Sequence, residues 1–234
     1  MSASFSIVGA GPAGTLLAIY LARQGHEVSL YEARSDLRRT DVDSGRSINL
    51  ALATRGIVPL IEVDVIDKVD AITIPMRGRI VHSEDGATPS LQPYGNKDHE
   101  VIHSVSRSDL NAILLDAAEA TGRVSIEFEK QLTSVDFDTS TLAFDDGTIA
   151  SFDVLVGADG AGSLVRKALG TAKVCTYETE RLGHSYKELT LPSGPDHNHL
   201  LDPHGLHIWP RGEFMLIALA NPGGDFTVTL FAPT

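Results

Sequence analysis

The chain has 234 residues, 42% of them hydrophobic and 21% charged, and a formal net charge of −12. That length holds one large domain, or one domain with a smaller companion. The acidic balance argues against general binding to nucleic acid or to an anionic membrane surface, both of which want a basic face.

No apolar run approaches the length of a membrane span, and the N-terminus enters a strand directly, so no signal peptide is expected. A single cysteine, Cys175, cannot form an internal disulfide and fits a reducing cytosol. No histidine pattern beside it suggests a nucleophile, so it reads as structural.

Taken in chain order, Phe5, Ile7 and Val8 mark a first strand. Gly9-Ala10-Gly11-Pro12-Ala13-Gly14 follows, then an apolar helix, a second strand at Val28, Leu30 and Tyr31, and Glu32. Each part suits a bound dinucleotide. Gly9 permits a tight turn, Gly11 lets the backbone approach a pyrophosphate, and Gly14 lets the helix pack closely on the sheet. Glu32 can accept hydrogen bonds from ribose hydroxyls. The helix N-terminus offers free N–H groups and a partial positive charge to phosphates.

Ala33 to Arg46 is a charged, irregular loop in which Arg46 reads as structural. Thr54 to Asp67 has a helical pattern with a break expected near Pro59. Strands are expected between Ile72 and His82, a turn at Glu84-Asp85-Gly86, and a loop from Pro89 to Lys97. After a short strand at Val101 to Val105, Ser106 can cap a helix over Arg107 to Ala120. Leu110, Ile113, Leu114 and Ala117 give that helix an apolar stripe, and Gly122 ends it.

Short strands follow at Val124 to Phe128, Leu132 to Phe137, Leu142 to Phe144 and Ile149 to Phe152, with a hairpin turn at Asp145-Asp146-Gly147. Val154-Leu155-Val156 is apolar throughout and reads as a buried parallel strand. It leads into Gly157-Ala158-Asp159-Gly160 and a helix opened by Gly162-Ser163. The last sixty or so residues read as antiparallel strands at Leu189 to Leu191, Leu206 to Trp209, Phe214 to Leu219 and Phe226 to Phe231. His197, His199, His204 and His207 match no standard zinc spacing, so no metal is expected.

Several segments resemble one family. The glycine triplet with Tyr31-Glu32-Ala33-Arg34 is similar to the FAD fold of class A flavin monooxygenases, and Asp153 to Arg166 resembles that superfamily's Asp-Gly motif. Gly45 to Leu52, Ile74 to Arg79, Pro93-Tyr94-Gly95, Ser104 to Arg107, and His207 to Arg211 with Phe214-Met215 resemble the kynurenine 3-monooxygenase family.

The resemblance implies an α/β fold. A Rossmann-like FAD-binding domain with a parallel sheet would occupy residues 1–71 and 96–175, and a β-rich substrate domain residues 72–95 and 176–234. It implies FAD and NADPH as cofactors, and hydroxylation of L-kynurenine to 3-hydroxykynurenine with O2, in the cytoplasm. Gly9, Gly11, Ala13, Gly14, Tyr31, Glu32, Arg34, Ala51, Arg107, Leu132, Asp159 and Gly160 match cofactor-binding positions. Arg79 and Tyr94 match the pair that holds the substrate carboxylate, a sound chemical choice. Leu206, Met215, Leu219, Thr229 and Phe231 match the wall around the aromatic ring. No catalytic side chain carries over.

Without the resemblance, Arg77 and Arg79 read as solvated strand residues, Met215 and Phe231 as core, and Trp209 as packing. Members of the family continue for about as long again, so the chain reads as an N-terminal half that ends before the Gly-Asp motif. Weak FAD affinity, inactivity alone, and self-association through Val154-Leu155-Val156 or near Phe231 are the expectations. A related aromatic hydroxylase with another substrate, and a non-catalytic FAD- or nucleotide-binding fragment or interaction module, stay open as alternatives.

Overall fold

The computed structural model describes residues 3–39, 48–97 and 99–234. Arg46 and the Gly45-Arg46-Ser47 part of its motif lie outside them. In chain order the elements begin with β1 (Ser4–Val8), α1 (Pro12–Arg23), β2 (Glu27–Tyr31), β3 (Asn49–Leu52), α2 (Thr54–Glu62), α3 (Ile66–Asp70), β4 (Ile74–Met76) and β5 (Gly78–Val81). Then come β6 (Ser90–Pro93), β7 (Ile102–Ser106), α4 (Arg107–Ala120), β8 (Val124–Glu127), β9 (Leu132–Asp136), β10 (Thr141–Phe144), β11 (Ile149–Ser151) and β12 (Val154–Gly157). The rest are α5 (Leu164–Thr171), β13 (His184–Leu191), β14 (Gly205–Arg211), β15 (Phe214–Ala220) and β16 (Phe226–Pro233). None of the helices among the described residues is long and apolar enough to cross a membrane.

The chain divides into two compact units, Met1–Val42 with Asn111–Thr179 and Asp43–Leu110 with Glu180–Thr234. The first is built on a parallel sheet in the order β12-β1-β2-β8. Ile7 and Leu30, paired across β1 and β2, are fully buried, as are Ala18 and Ile19 of α1. Each large aliphatic side chain removed from water in this way contributes about 1.5–3 kcal/mol. A meander of β9, β10 and β11 adds a second layer. There Tyr31, Leu132, Leu142, Phe144 and Val165 form one apolar cluster with Val8.

The β12 strand is parallel, as its composition suggests, and it is an open edge, as the expected self-association through Val154-Leu155-Val156 requires, rather than a buried strand. It is the outer strand of the sheet, and Val154 is 39% exposed.

The second unit holds a six-stranded sheet in the order β13-β16-β15-β14-β5-β6 and a three-stranded sheet in the order β3-β7-β4. Only β14 and β5 run parallel in the larger sheet. Residues 43–71 and 96–110, assigned from sequence to the dinucleotide domain, cluster here because β7 pairs with both β3 and β4.

Three local expectations differ from the structure. The stretch expected as a loop from Pro89 contains β6, an exposed strand recruited by pairing with β5 rather than by any apolar pattern of its own. Pro59 lies inside α2, and the helical break falls after it, where Asp64 takes a left-handed φ of 56°. Phe231 is not at a sheet edge, because β16 is flanked by β13 and β15.

Candidate functional site: a phosphate loop and a sheet face

The three glycines of the N-terminal loop answer to different causes. Gly9 has φ +104°, and a Cβ there would collide with the Ala158 carbonyl oxygen. A Cβ on Gly14 would strike the carbonyl oxygen of Gly9. Both positions are therefore glycine because the chain itself leaves no room.

Gly11 is different. Its φ is −70°, and a Cβ there would meet nothing within 4 Å. Nothing in the chain requires glycine at that point, and the open space suits a group brought from outside. Gly11 is also the N-cap of α1, with no side chain capping the helix and Pro12 in its first turn. The first-turn N–H groups of Ala13 and Gly14 thus have no intrahelical acceptor, and the helix end carries partial positive charge. This is the donor set an anionic pyrophosphate needs.

Side chains hold the loop from several directions. Glu32 Oε2 accepts from the Ala10 N–H at 2.9 Å, and Oε1 accepts from the Arg34 N–H at 3.1 Å. Lone pairs remain on both oxygens for ribose hydroxyls. Asp159 Oδ2 accepts from the Leu164 and Val165 N–H groups at 2.6 and 3.2 Å and so caps α5. Its Oδ1 is buried with no partner, an acceptor placed for a donor from a ligand. The next residue, Gly160, has φ +77° and open space around it. These residues fit a flavin dinucleotide.

Tyr31 and Leu132 sit in the apolar cluster, 4% and 3% exposed, so their side chains serve packing. Arg34 is exposed. In the second unit Ala51 is an exposed residue of β3, and Arg107 opens α4 with its N–H donating to the Ile48 carbonyl at 3.1 Å.

One structural element of the first unit was not legible in the loop's charges. Asp36 is 8% exposed, and Arg38 donates to it at 2.9 Å while also reaching Asp116 and Glu119 of α4 at 2.7 Å each. The Arg38 guanidinium holds the Asp36 carboxyl below the usual carboxylate range.

In the second unit, strand register brings the residues matched to a substrate pocket onto one face of the six-stranded sheet. Met215 is opposite Phe231, Ile217 is opposite Thr229, and Leu206 is opposite Arg79. Ile208, opposite Ile217, ties the Leu206 row to the Met215 row. Side chains two residues apart share a face, so Arg79, Leu206, Met215, Leu219, Thr229 and Phe231 all lie on it. The other face carries the core residues Ala218, Ala220, Phe226 and Val228. Leu219 and Thr229 are buried, whereas Met215 is 37% exposed and so is not core.

Tyr94 follows β6 by one residue and donates its N–H to the Arg77 carbonyl at 3.0 Å. The Arg79 guanidinium carbon lies 5.5 Å from the centroid of its ring. The Tyr94 hydroxyl is buried with no hydrogen-bond partner. Burial pushes the phenol's pKa up, and the neighbouring Arg79 charge draws it back. A planar cation and an unused phenolic donor side by side are suited to a carboxylate.

Three of the four histidines between residues 197 and 207 face backbone carbonyls. His199 faces the Asn221 carbonyl at 2.8 Å, His204 the Pro75 carbonyl at 3.0 Å, and His207 the Asp202 carbonyl at 2.9 Å. No group of three or more metal-ligating side chains occurs among the described residues. Cys175 is free and exposed, so it has no packing role.

Comparison with known proteins is consistent with this geometry. The kynurenine 3-monooxygenase of Myxococcus xanthus (strain DK1622) is 48% identical over 97% of this chain and 50% of its own length. That of Stenotrophomonas maltophilia (strain K279a) is 50% identical over 99% of this chain and 52% of its own. The chain therefore spans about half the length of the curated relatives it matches.

Among solved structures, a Klebsiella pneumoniae HpxO variant complexed with FAD superposes with a TM-score of 0.76 at 19% identity, over 99% of this chain and 57% of that one. A tetrameric 2-methyl-3-hydroxypyridine-5-carboxylic acid oxygenase gives 0.77 at 21% identity, over 100% and 59%. At such identities the likeness is one of fold. The FAD binding domain family matches residues 2–193, most of the chain, and the chain belongs to that family.

Proposed function

We propose that this chain is the FAD-holding and part of the substrate-holding portion of an NADPH-dependent aromatic hydroxylase acting on L-kynurenine. Gly11, the α1 N-terminus, Glu32 and Asp159 would hold the dinucleotide. When bound, the flavin supplies the redox and oxygen chemistry that the protein's own side chains lack. Arg79 and Tyr94 would orient the substrate by its amino-acid carboxylate. The side chains of Leu206, Met215, Leu219, Thr229 and Phe231 would exclude water from its ring. Residues 1–71 with 96–175, and 72–95 with 176–234, are the functional division that accompanies this reading.

The observation that carries the proposal is the single sheet face holding Arg79 and the five ring-packing positions, with Tyr94 against Arg79. A lone cysteine and an acidic surface suit the reducing cytosol as its compartment. The test is L-kynurenine binding by calorimetry to the FAD-loaded chain and to its Arg79→Ala variant. The expected result is at least a tenfold loss in the variant, the worth of one charge-assisted contact. Equal binding by the two proteins would sink the substrate assignment and favour a non-catalytic nucleotide-binding module.

A further inference from the structure

We infer that Asn111 is a positioning residue of the phosphate loop, holding the Ala10 peptide with one end of its side-chain amide and presenting the other end as an acceptor to the bound dinucleotide. The inference rests on the FAD-binding reading above. Asn111 stands in α4 beside the buried Leu110, Leu114 and Leu115, and is itself only 7% exposed. A primary amide in such surroundings is costly unless it is hydrogen-bonded. Its Nδ2 donates to the Ala10 carbonyl at 2.9 Å, across 101 residues of sequence.

That carbonyl also accepts from Thr15 Oγ1 at 3.0 Å, while the Ala10 N–H donates to Glu32 at 2.9 Å. The peptide between Gly9 and Gly11 is thus gripped by side chains from α4, from α1 and from the end of β2. Turning the Asn111 amide over would set its oxygen against the Ala10 oxygen, so the orientation is forced. Oδ1 is then left buried and without a donor. A hydroxyl or N–H of a ligand seated at the adjacent open space of Gly11 is the donor it lacks.

Three proteins distinguish this from a packing role: the wild-type chain, Asn111→Leu and Asn111→Asp. The first readout is FAD affinity by flavin fluorescence between pH 5.5 and 8. Asn111→Leu is expected to bind FAD about tenfold more weakly at every pH, because the acceptor offered to the ligand and one of the two hydrogen bonds holding the Ala10 carbonyl are both lost. Asn111→Asp is expected to bind weakly at pH 8, where the introduced carboxylate faces a carbonyl. It should recover to within about threefold of wild type at pH 5.5, where a protonated carboxyl again offers one donor and one acceptor.

The second readout is hydrogen exchange across residues 9–15 in the FAD-free chain, expected to be faster in Asn111→Leu. Wild-type FAD affinity in Asn111→Leu, or Asn111→Asp binding that does not respond to pH, would overturn the inference. If the folded wild type binds no FAD, the cofactor reading fails instead. The exchange measurement then still decides whether Asn111 positions the loop, and unchanged exchange would overturn that as well.

Discussion

His82 Nε2 lies 2.9 Å from His207 Nδ1, and both rings stack on Trp209. His207 Nε2 faces the Asp202 carbonyl, which can only accept, so that nitrogen carries the proton. His207 Nδ1 is then the acceptor and His82 Nε2 the donor, with both imidazoles neutral. Burial lowers both pKa values from the usual 6.5. The charged neighbours are Arg211, which opposes protonation of His82, and Asp202, which partly favours protonation of His207. His199 lies only across the Phe226 ring.

The sign of the pH effect follows. A base whose folded-state pKa is depressed takes up protons preferentially when unfolded, so stability falls as pH drops below 6.5 toward the folded value. The urea midpoint is expected to be flat above pH 7.5 and to decline between pH 6.5 and 5.5. The slope has an upper limit of about 1.4 kcal/mol per pH unit for each histidine. His207→Phe should lower stability overall and remove part of that slope. A wild-type midpoint independent of pH in this window would contradict the neutral pair.

The glycines of the phosphate loop should separate folding from binding. Gly9→Ala and Gly14→Ala are expected to destabilise the chain by about 2 kcal/mol or more, since each adds a Cβ against a backbone oxygen and Gly9 also has positive φ. Gly11→Ala should leave the thermal midpoint within about 2 °C of wild type while weakening FAD. A Gly11→Ala protein that binds FAD normally would show that the open space is not the pyrophosphate site.

Arg38 is expected to matter for stability despite lying in an irregular loop. Arg38→Ala leaves Asp36 buried without its main partner and should cost about 2–4 kcal/mol by chemical denaturation. Arg38→Lys should recover only part of this, because a single ammonium cannot meet Asp36, Asp116 and Glu119 together. A loss below about 0.5 kcal/mol would mark the cluster as an ordinary surface network.

Tyr94→Phe removes a buried hydroxyl that makes no hydrogen bond. Folding stability is expected to stay level or rise by up to about 1 kcal/mol, because an unsatisfied polar atom is eliminated. L-kynurenine affinity should fall. A variant that loses stability without losing affinity would assign the hydroxyl to the fold.

The β12 strand is the outer strand of its sheet, and none of its four residues is charged. Such an edge invites pairing. Light scattering of the wild-type chain is expected to show concentration-dependent association, and Val154→Lys to suppress it. A strictly monomeric wild type over a wide concentration range would count against the edge.

The parallel sheet, the phosphate loop and α4 were legible because their signals are local: a glycine triplet in register with two strands, a serine cap and an apolar stripe. β6 was not legible, since Ser90 to Pro93 has no alternation and becomes a strand only through β5. β13 extends from His184, well before the apolar Leu189, for the same reason. Arg38 with Asp116 and Glu119, and Ala10 with Asn111, were also hidden, because partners 78 to 101 residues apart leave no spacing to read. The sheet face bearing Arg79 was half visible. Alternation within each strand showed, but the register joining β5 to β14 did not.

The most direct test of the account is a fluorescence titration of the purified, folded chain with FAD, run beside Gly11→Ala. Saturable quenching of flavin fluorescence by the wild type, and binding at least tenfold weaker in a Gly11→Ala protein of unchanged melting temperature, is the expected result. A folded wild-type chain that gives no saturable signal, or a variant that binds as well as wild type, would contradict the placement of the dinucleotide at this loop.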